Sequence, residues 1–87
     1  MTPSTQEIQD WLVARISALT EVAPEEVDAR APLTRLGLDS VMLVVLTADL
    51  EKWLGYRLRE DPLDTHPTIE ALARFLAEQI AKGRRRE

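Results

Sequence analysis

Apolar residues recur at spacings of three and four in three blocks of this chain, and four of its five prolines stand between the blocks. Such spacing lays one face of an α-helix against a core. The prolines keep a helix from running out of one block into the next. No block alternates as a half-buried strand does. The expected fold is all-α: a small four-helix bundle of three main helices plus one short helix, with a long loop between helices one and two.

The first block opens on Ser4-Thr5-Gln6-Glu7, the form of a capping box with Ser4 as N-cap. Ile8, Leu12, Ile16 and Leu19 then make one stripe, flanked by Trp11 and Val13 as partly buried packing residues. This helix should stop before Pro24, because proline disfavours helical geometry in the residue ahead of it. The segment from Val22 to Leu38 is a long connection. Pro24 to Val27 suits one short turn, and Val22, Val27, Leu33, Leu36 and Leu38 are spaced as anchors of a loop rather than as a stripe. Connections of this length inside compact domains are often functional.

Helix two should begin near Asp39 or Ser40 and end at Trp53 or Leu54, with Gly55 as its C-cap. Projected at about 100° per residue, Met42, Leu43, Leu46, Leu50, Trp53 and Leu54 fall within an arc of roughly 120°, the width of a core face. Val41, Val44, Val45 and Ala48 fall on the other side, beside Glu51 and Lys52. A small bundle has little reason to spend apolar residues on water, so this second face is expected to dock partners. The competing expectation is that a turn from Pro62 to Thr65 covers it. Leu63 to His66 would supply the short helix. The last helix should start after Pro67 with Thr68 as N-cap and carry a stripe of Ile69, Leu72, Leu76 and Ile80, widened by Phe75, and Gly83 can end it.

Composition removes several classes of function. The 87 residues suit a single domain over 1–87, with a bundle at about 4–82 and a basic tail at 83–87. Absence of cysteine excludes disulfides and thiolate metal sites, and His66 is the only histidine. No apolar run approaches the roughly 18 residues of a membrane span. The first ten residues lack the apolar stretch of a signal peptide, so a cytoplasmic location is the expectation; a monomer is expected as well. The net charge of -4 hides a more acidic body: residues 1–81 hold 7 basic against 14 acidic side chains, a net of -7. Such a surface repels phosphate backbones and attracts basic patches on proteins, so neither nucleic acid nor membrane is an expected partner. The run Arg84-Arg85-Arg86 reads as a solvated tail.

The chemistry concentrates in Leu36-Gly37-Leu38-Asp39-Ser40. Glycine permits a sharp approach, after which Ser40 stands at the helix start with its hydroxyl exposed. Unpaired amides and the positive end of the helix dipole favour a phosphate attached there. Asp39 and Ser40 are also common helix caps, which leaves a plain structural reading open. A hydrolase triad of Asp39, His66 and Ser40 lacks the Gly-x-Ser-x-Gly elbow and its strand.

The segment Leu36-Gly37-Leu38-Asp39-Ser40-Val41-Met42 resembles the Leu-Gly-x-Asp-Ser-Leu/Val-x signature of acyl carrier proteins. Thr65-His66-Pro67-Thr68-Ile69-Glu70-Ala71-Leu72-Ala73 is similar to the Asp-His-Pro-Thr-Leu-Glu-Ala-Leu-Ala segment of polyketide-synthase carrier domains. The resemblance implies a non-catalytic carrier whose Ser40 accepts 4′-phosphopantetheine from coenzyme A through a phosphopantetheinyl transferase, with Asp39 assisting that transferase. Acyl intermediates would ride on the arm's thiol, in polyketide or specialised fatty-acid biosynthesis. The partners implied are acyl-loading, ketosynthase or other synthase enzymes, with Val41, Val44, Val45 and Ala48 as the docking face. The chain departs from the pattern at Pro62-Leu63-Asp64-Thr65, where many relatives of this kind carry Leu-Phe-Asp. Peptidyl carriers typically read Gly-Gly-x-Ser where this chain has Gly37-Leu38-Asp39-Ser40, which favours acyl over aminoacyl cargo. The alternatives are a peptidyl or aminoacyl carrier, and an unmodified helical adaptor in which Ser40 is merely a cap.

Overall fold

The computed structural model describes residues 3–55 and 67–85, the last four of these by backbone alone. Helix α1 spans Thr5–Thr20, α2 spans Ser40–Leu54, and α3 spans Ile69–Arg85. Two single 3-10 turns, Pro24–Glu26 and Leu33–Arg35, interrupt the connection between α1 and α2. Among the described residues the architecture is all-α, with one isolated antiparallel bridge between Pro32 and Thr68. The short helix expected at Leu63 to His66, and the Pro62 to Thr65 turn, lie outside the described residues.

Each helix starts where its capping chemistry dictates. Ser4 Oγ accepts from the Glu7 amide at 3.1 Å, and Glu7 Oε1 accepts from the Ser4 amide at 3.0 Å, which completes the capping box. Thr68 Oγ1 accepts from the Ala71 amide at 3.1 Å and so caps α3. Helix α1 ends because Glu21 turns into the left-handed region, φ 61°, with its amide bonded to the Ser17 carbonyl. Ser17 Oγ then donates to the Val22 carbonyl at 2.6 Å and secures the exit.

The core collects one stripe from each helix and two anchors from the loop. Ile8, Leu12 and Ile16 of α1 meet Leu46 and Leu50 of α2 and Ile69, Leu72, Ala73 and Leu76 of α3, all buried. Leu33 and Leu38 are the buried loop anchors, and Val27 and Leu36 pack against them more shallowly. Helix α1 lies mainly along α3 and approaches α2 over a shorter stretch. Two contacts show that α1 and α2 run antiparallel: Trp11 meets Trp53, and Arg15, one turn further along α1, meets Asp49, one turn back along α2. The start of α2 is therefore beside the end of α1.

The structure corrects two expectations. Trp53 is not a core residue: it is 40% exposed and stacks on Trp11, ring centroids 5.0 Å apart and planes 11° from parallel. Its position at the edge of the apolar arc directs the ring at α1 rather than into the interior, and the stack covers one face while the rest stays wet. Gly83 does not end the last helix, which continues to Arg85. A glycine weakens a helix by about 0.5–1 kcal/mol relative to alanine, yet it removes no backbone hydrogen bond.

The contrast between the faces of α2 gives a stability test. Leu50, fully packed, should lose about 2–5 kcal/mol when truncated to alanine. Val44, 69% exposed, should tolerate Val44→Glu at a cost of roughly 0.5 kcal/mol or less. Urea unfolding of both variants at unchanged m-value checks the assignment; comparable losses would place Val44 in the core.

Candidate functional site

Four successive local devices deliver Ser40 to the surface. The 3-10 turn closes with the Leu36 amide bonded to the Leu33 carbonyl at 3.0 Å. Gly37 follows at φ 85°, a conformation in which a side chain would be strained. Leu38 then plugs into the core. Asp39, in extended geometry, is the N-cap of α2: its Oδ1 accepts from the Met42 amide at 2.8 Å, and its carbonyl accepts from the Leu43 amide at 3.0 Å.

The cap is therefore Asp39, and Ser40 is the first helical residue. Its side chain is exposed, and among the described residues its hydroxyl has no hydrogen-bond partner. A serine serving only as a helix cap would spend its oxygen on an amide two or three residues on; this one does not. The Ser40 and Val41 amides likewise have no acceptor among the described residues. They supply the donor groups and partial positive charge that suit a phosphate linked at that hydroxyl. The residues present thus fit a covalently attached phosphopantetheine: a free hydroxyl at the surface, with open amides beside it.

The surroundings of Ser40 are apolar. Val41 is 68% exposed and Val44 69%, Val45 and Ala48 are also exposed, and no charged side chain occurs between Ser40 and Ala48. Asp39 is the acidic neighbour of Ser40, and Glu21, Glu25, Glu26 and Asp28 are exposed in the loop that leads to it. Among the described residues no cluster of histidine, aspartate and glutamate could hold a metal ion. His66 lies outside the described residues.

Two groups escaped the sequence reading. The first is the ion pair of Arg15 with Asp49, whose Oδ2 accepts from Arg15 Nε at 2.8 Å and also from Nη2. Its members are 34 residues apart, so no local signal announces it. The second is the clamp that ties the loop to α3. The Leu33 amide bonds the Pro67 carbonyl at 2.7 Å, the Glu70 amide bonds the Ala29 carbonyl at 3.0 Å, and Arg30 Nε lies 3.5 Å from Glu70 Oε2. The motif around Pro67 is thereby in contact with the loop that leads to Ser40, a link invisible in two motifs read separately.

Fold and geometry together define a carrier: a small helical domain that holds out one hydroxyl at the start of a helix. Comparison with known proteins agrees. The family described as "Phosphopantetheine attachment site" matches residues 10–76, and the chain belongs to that family. An acyl carrier protein of Teredinibacter turnerae is 32% identical over 76 residues, 87% of each chain. A phenolphthiocerol/phthiocerol polyketide synthase of Mycobacterium tuberculosis is 32% identical over 80 residues, 92% of this chain. The chain spans only 4% of that synthase polypeptide's length. Among solved structures, a free-standing peptidyl carrier protein of Acinetobacter baumannii superimposes with a TM-score of 0.82 at 27% identity, covering 88% of this chain and 96% of the other. The chain is thus a non-catalytic carrier protein whose family bears 4′-phosphopantetheine covalently.

Capping and presentation can be separated by substitution. Asp39→Ala should cost about 0.5–2 kcal/mol through loss of the cap, whereas Asp39→Asn, an equivalent cap, should cost a few tenths at about the limit of measurement. Ser40→Ala should stay within about 0.5 kcal/mol of wild type, because its oxygen bonds nothing in the helix. Denaturation midpoints of the three variants check this, and a larger loss for Ser40→Ala than for Asp39→Ala would reverse the cap assignment.

Proposed function

We propose that Ser40 is the attachment residue, and that the chain carries acyl intermediates as thioesters on its phosphopantetheine arm for polyketide or specialised fatty-acid biosynthesis. The observation that carries the reading is the exposed, unpartnered hydroxyl of Ser40 beside a cap already supplied by Asp39. In the attachment, Ser40 Oγ forms a phosphodiester with the phosphopantetheine phosphate of coenzyme A, adenosine 3′,5′-bisphosphate leaves, and the hydroxyl proton passes to the transferase. The Ser40 and Val41 amides face the new phosphate charge as donors. Once bound, the arm supplies a terminal thiol that holds cargo as a thioester. Asp39 acts by keeping the helix start formed, and its charge is available to the transferase.

Two observations favour acyl cargo. Leu38-Asp39 stands where peptidyl carriers typically have glycine followed by another residue, and the similar proteins include an acyl carrier protein and a polyketide synthase. Likeness to a peptidyl carrier at a TM-score of 0.82 keeps aminoacyl cargo as the second reading, because the fold serves both kinds. Partners in this reading are the phosphopantetheinyl transferase and the acyl-loading, ketosynthase or other enzymes of a synthase. They dock on Val41, Val44, Val45 and Ala48, an apolar and uncharged surface next to Ser40. We read the carrier as a cytoplasmic monomer that binds neither nucleic acid nor membrane.

Incubation with coenzyme A and a broad-specificity transferase, followed by intact mass, tests the attachment. Wild type should gain one phosphopantetheine, and Ser40→Ala should gain none while remaining folded; uptake by Ser40→Ala would show the site to be elsewhere. Mass of the protein isolated from its native host, cargo attached, distinguishes acyl from aminoacyl loading.

The docking face has its own test. Val44→Glu should slow phosphopantetheinylation or transfer to a synthase enzyme about tenfold or more while folding normally, since a buried charge at an apolar contact is costly. Unchanged rates with both kinds of enzyme would remove Val44 from the interface.

A further inference from the structure

Helix α2 carries both Ser40 and the exposed valines, so its rotation about its own axis decides what a partner meets. The buried stripe sets that rotation to within its arc, because Leu46 and Leu50 must face the close-packed core. Directional contacts at the edge of the stripe refine the angle. Such contacts between α2 and α1 include the Trp11–Trp53 stack and the Arg15–Asp49 pair.

Both contacts lie on the same seam. Residues 11 and 15 are one turn apart on α1, as 49 and 53 are on α2, so the pairs form adjacent rungs between antiparallel helices. The ion-pair rung is the more directional. Two nitrogens of one guanidinium converge on one carboxylate oxygen, and both side chains are partly withdrawn from water. At about 100° per residue, Asp49 lies some 40° around the helix from Val45 and about 100° from Ala48. The carboxylate thus stands at the border of the valine face and is drawn off it towards α1.

We propose that Arg15 and Asp49 are positioning residues for partner recognition: their pairing refines the rotation of α2 and keeps the border of its apolar face neutral. The inference rests on the reading of Ser40 as the attachment residue and of the valine face as the dock. Breaking the pair lets α2 turn within the arc of its stripe and leaves an uncompensated carboxylate beside Val45. A partner that fits an apolar, uncharged surface then binds less well, while Ser40, once engaged, reacts as before.

The test is steady-state phosphopantetheinylation of the full chain with coenzyme A, varying the carrier concentration. Arg15→Ala should raise KM for the carrier about three- to tenfold at unchanged kcat, the signature of lost binding without lost chemistry. Asp49→Asn, which removes the charge as well as the pair, should raise KM less. The exchanged double variant Arg15→Asp with Asp49→Arg should return KM to within about twofold of wild type, as a coupled pair does. Thermal melts show that each variant is folded at the assay temperature. A merely structural pair would shift the melts and leave KM alone, so KM values equal to wild type in both single variants overturn the proposal. So does a double variant that recovers nothing. Wild type that takes up no phosphopantetheine defeats the parent reading instead, and this inference with it.

Discussion

The Leu33 amide reaches the Pro67 carbonyl at 2.7 Å, and the placement of Ser40 descends from that bond. It closes the Pro32–Thr68 bridge and, with the Glu70–Ala29 bond, holds the long loop against the first turn of α3. A free loop of such length between α1 and α2 could approach α2 from many directions. Once Leu33 is pinned, only the 3-10 turn, Gly37 and Leu38 remain before the Asp39 cap. Each of these leaves the backbone little choice. The two sequence motifs are therefore parts of one device: the segment at Pro67 anchors the loop whose far end presents the serine.

The division of labour between Asp39 and Ser40 is the chemical centre of the molecule. A helix start needs one side-chain acceptor for its unpaired amides, and aspartate provides it. The neighbouring hydroxyl is then left free to react. The electrical layout follows a similar division, with carboxylates in the loop and a neutral first half of α2. Acidic charge and exposed apolar surface are thus carried by different segments of the chain.

The helices were legible because each carries its own evidence. The capping box at Ser4, the cap at Thr68, the left-handed Gly55 and the stripes of Ile8, Leu12 and Ile16 or Leu46 and Leu50 are local patterns with one physical solution. Exposure of Val41, Val44, Val45 and Ala48 followed from helical periodicity alone. Trp53 was misplaced because a projection assigns an arc, and a residue at its edge goes to whichever neighbour lies there. Gly83 was misread because a glycine permits a helix to end without requiring it.

The sequence by itself determined the three main helices, the exposed serine at the start of the second and the apolar face beside it, because these depend on residues a few positions apart. Only tertiary structure decided how the loop is clamped to α3, and that Arg15 meets Asp49 across 34 residues. Pairings of that kind depend on where separate helices come to rest against a shared core. No local pattern encodes such a position, since apolar burial brings helices together without specifying their partners atom by atom.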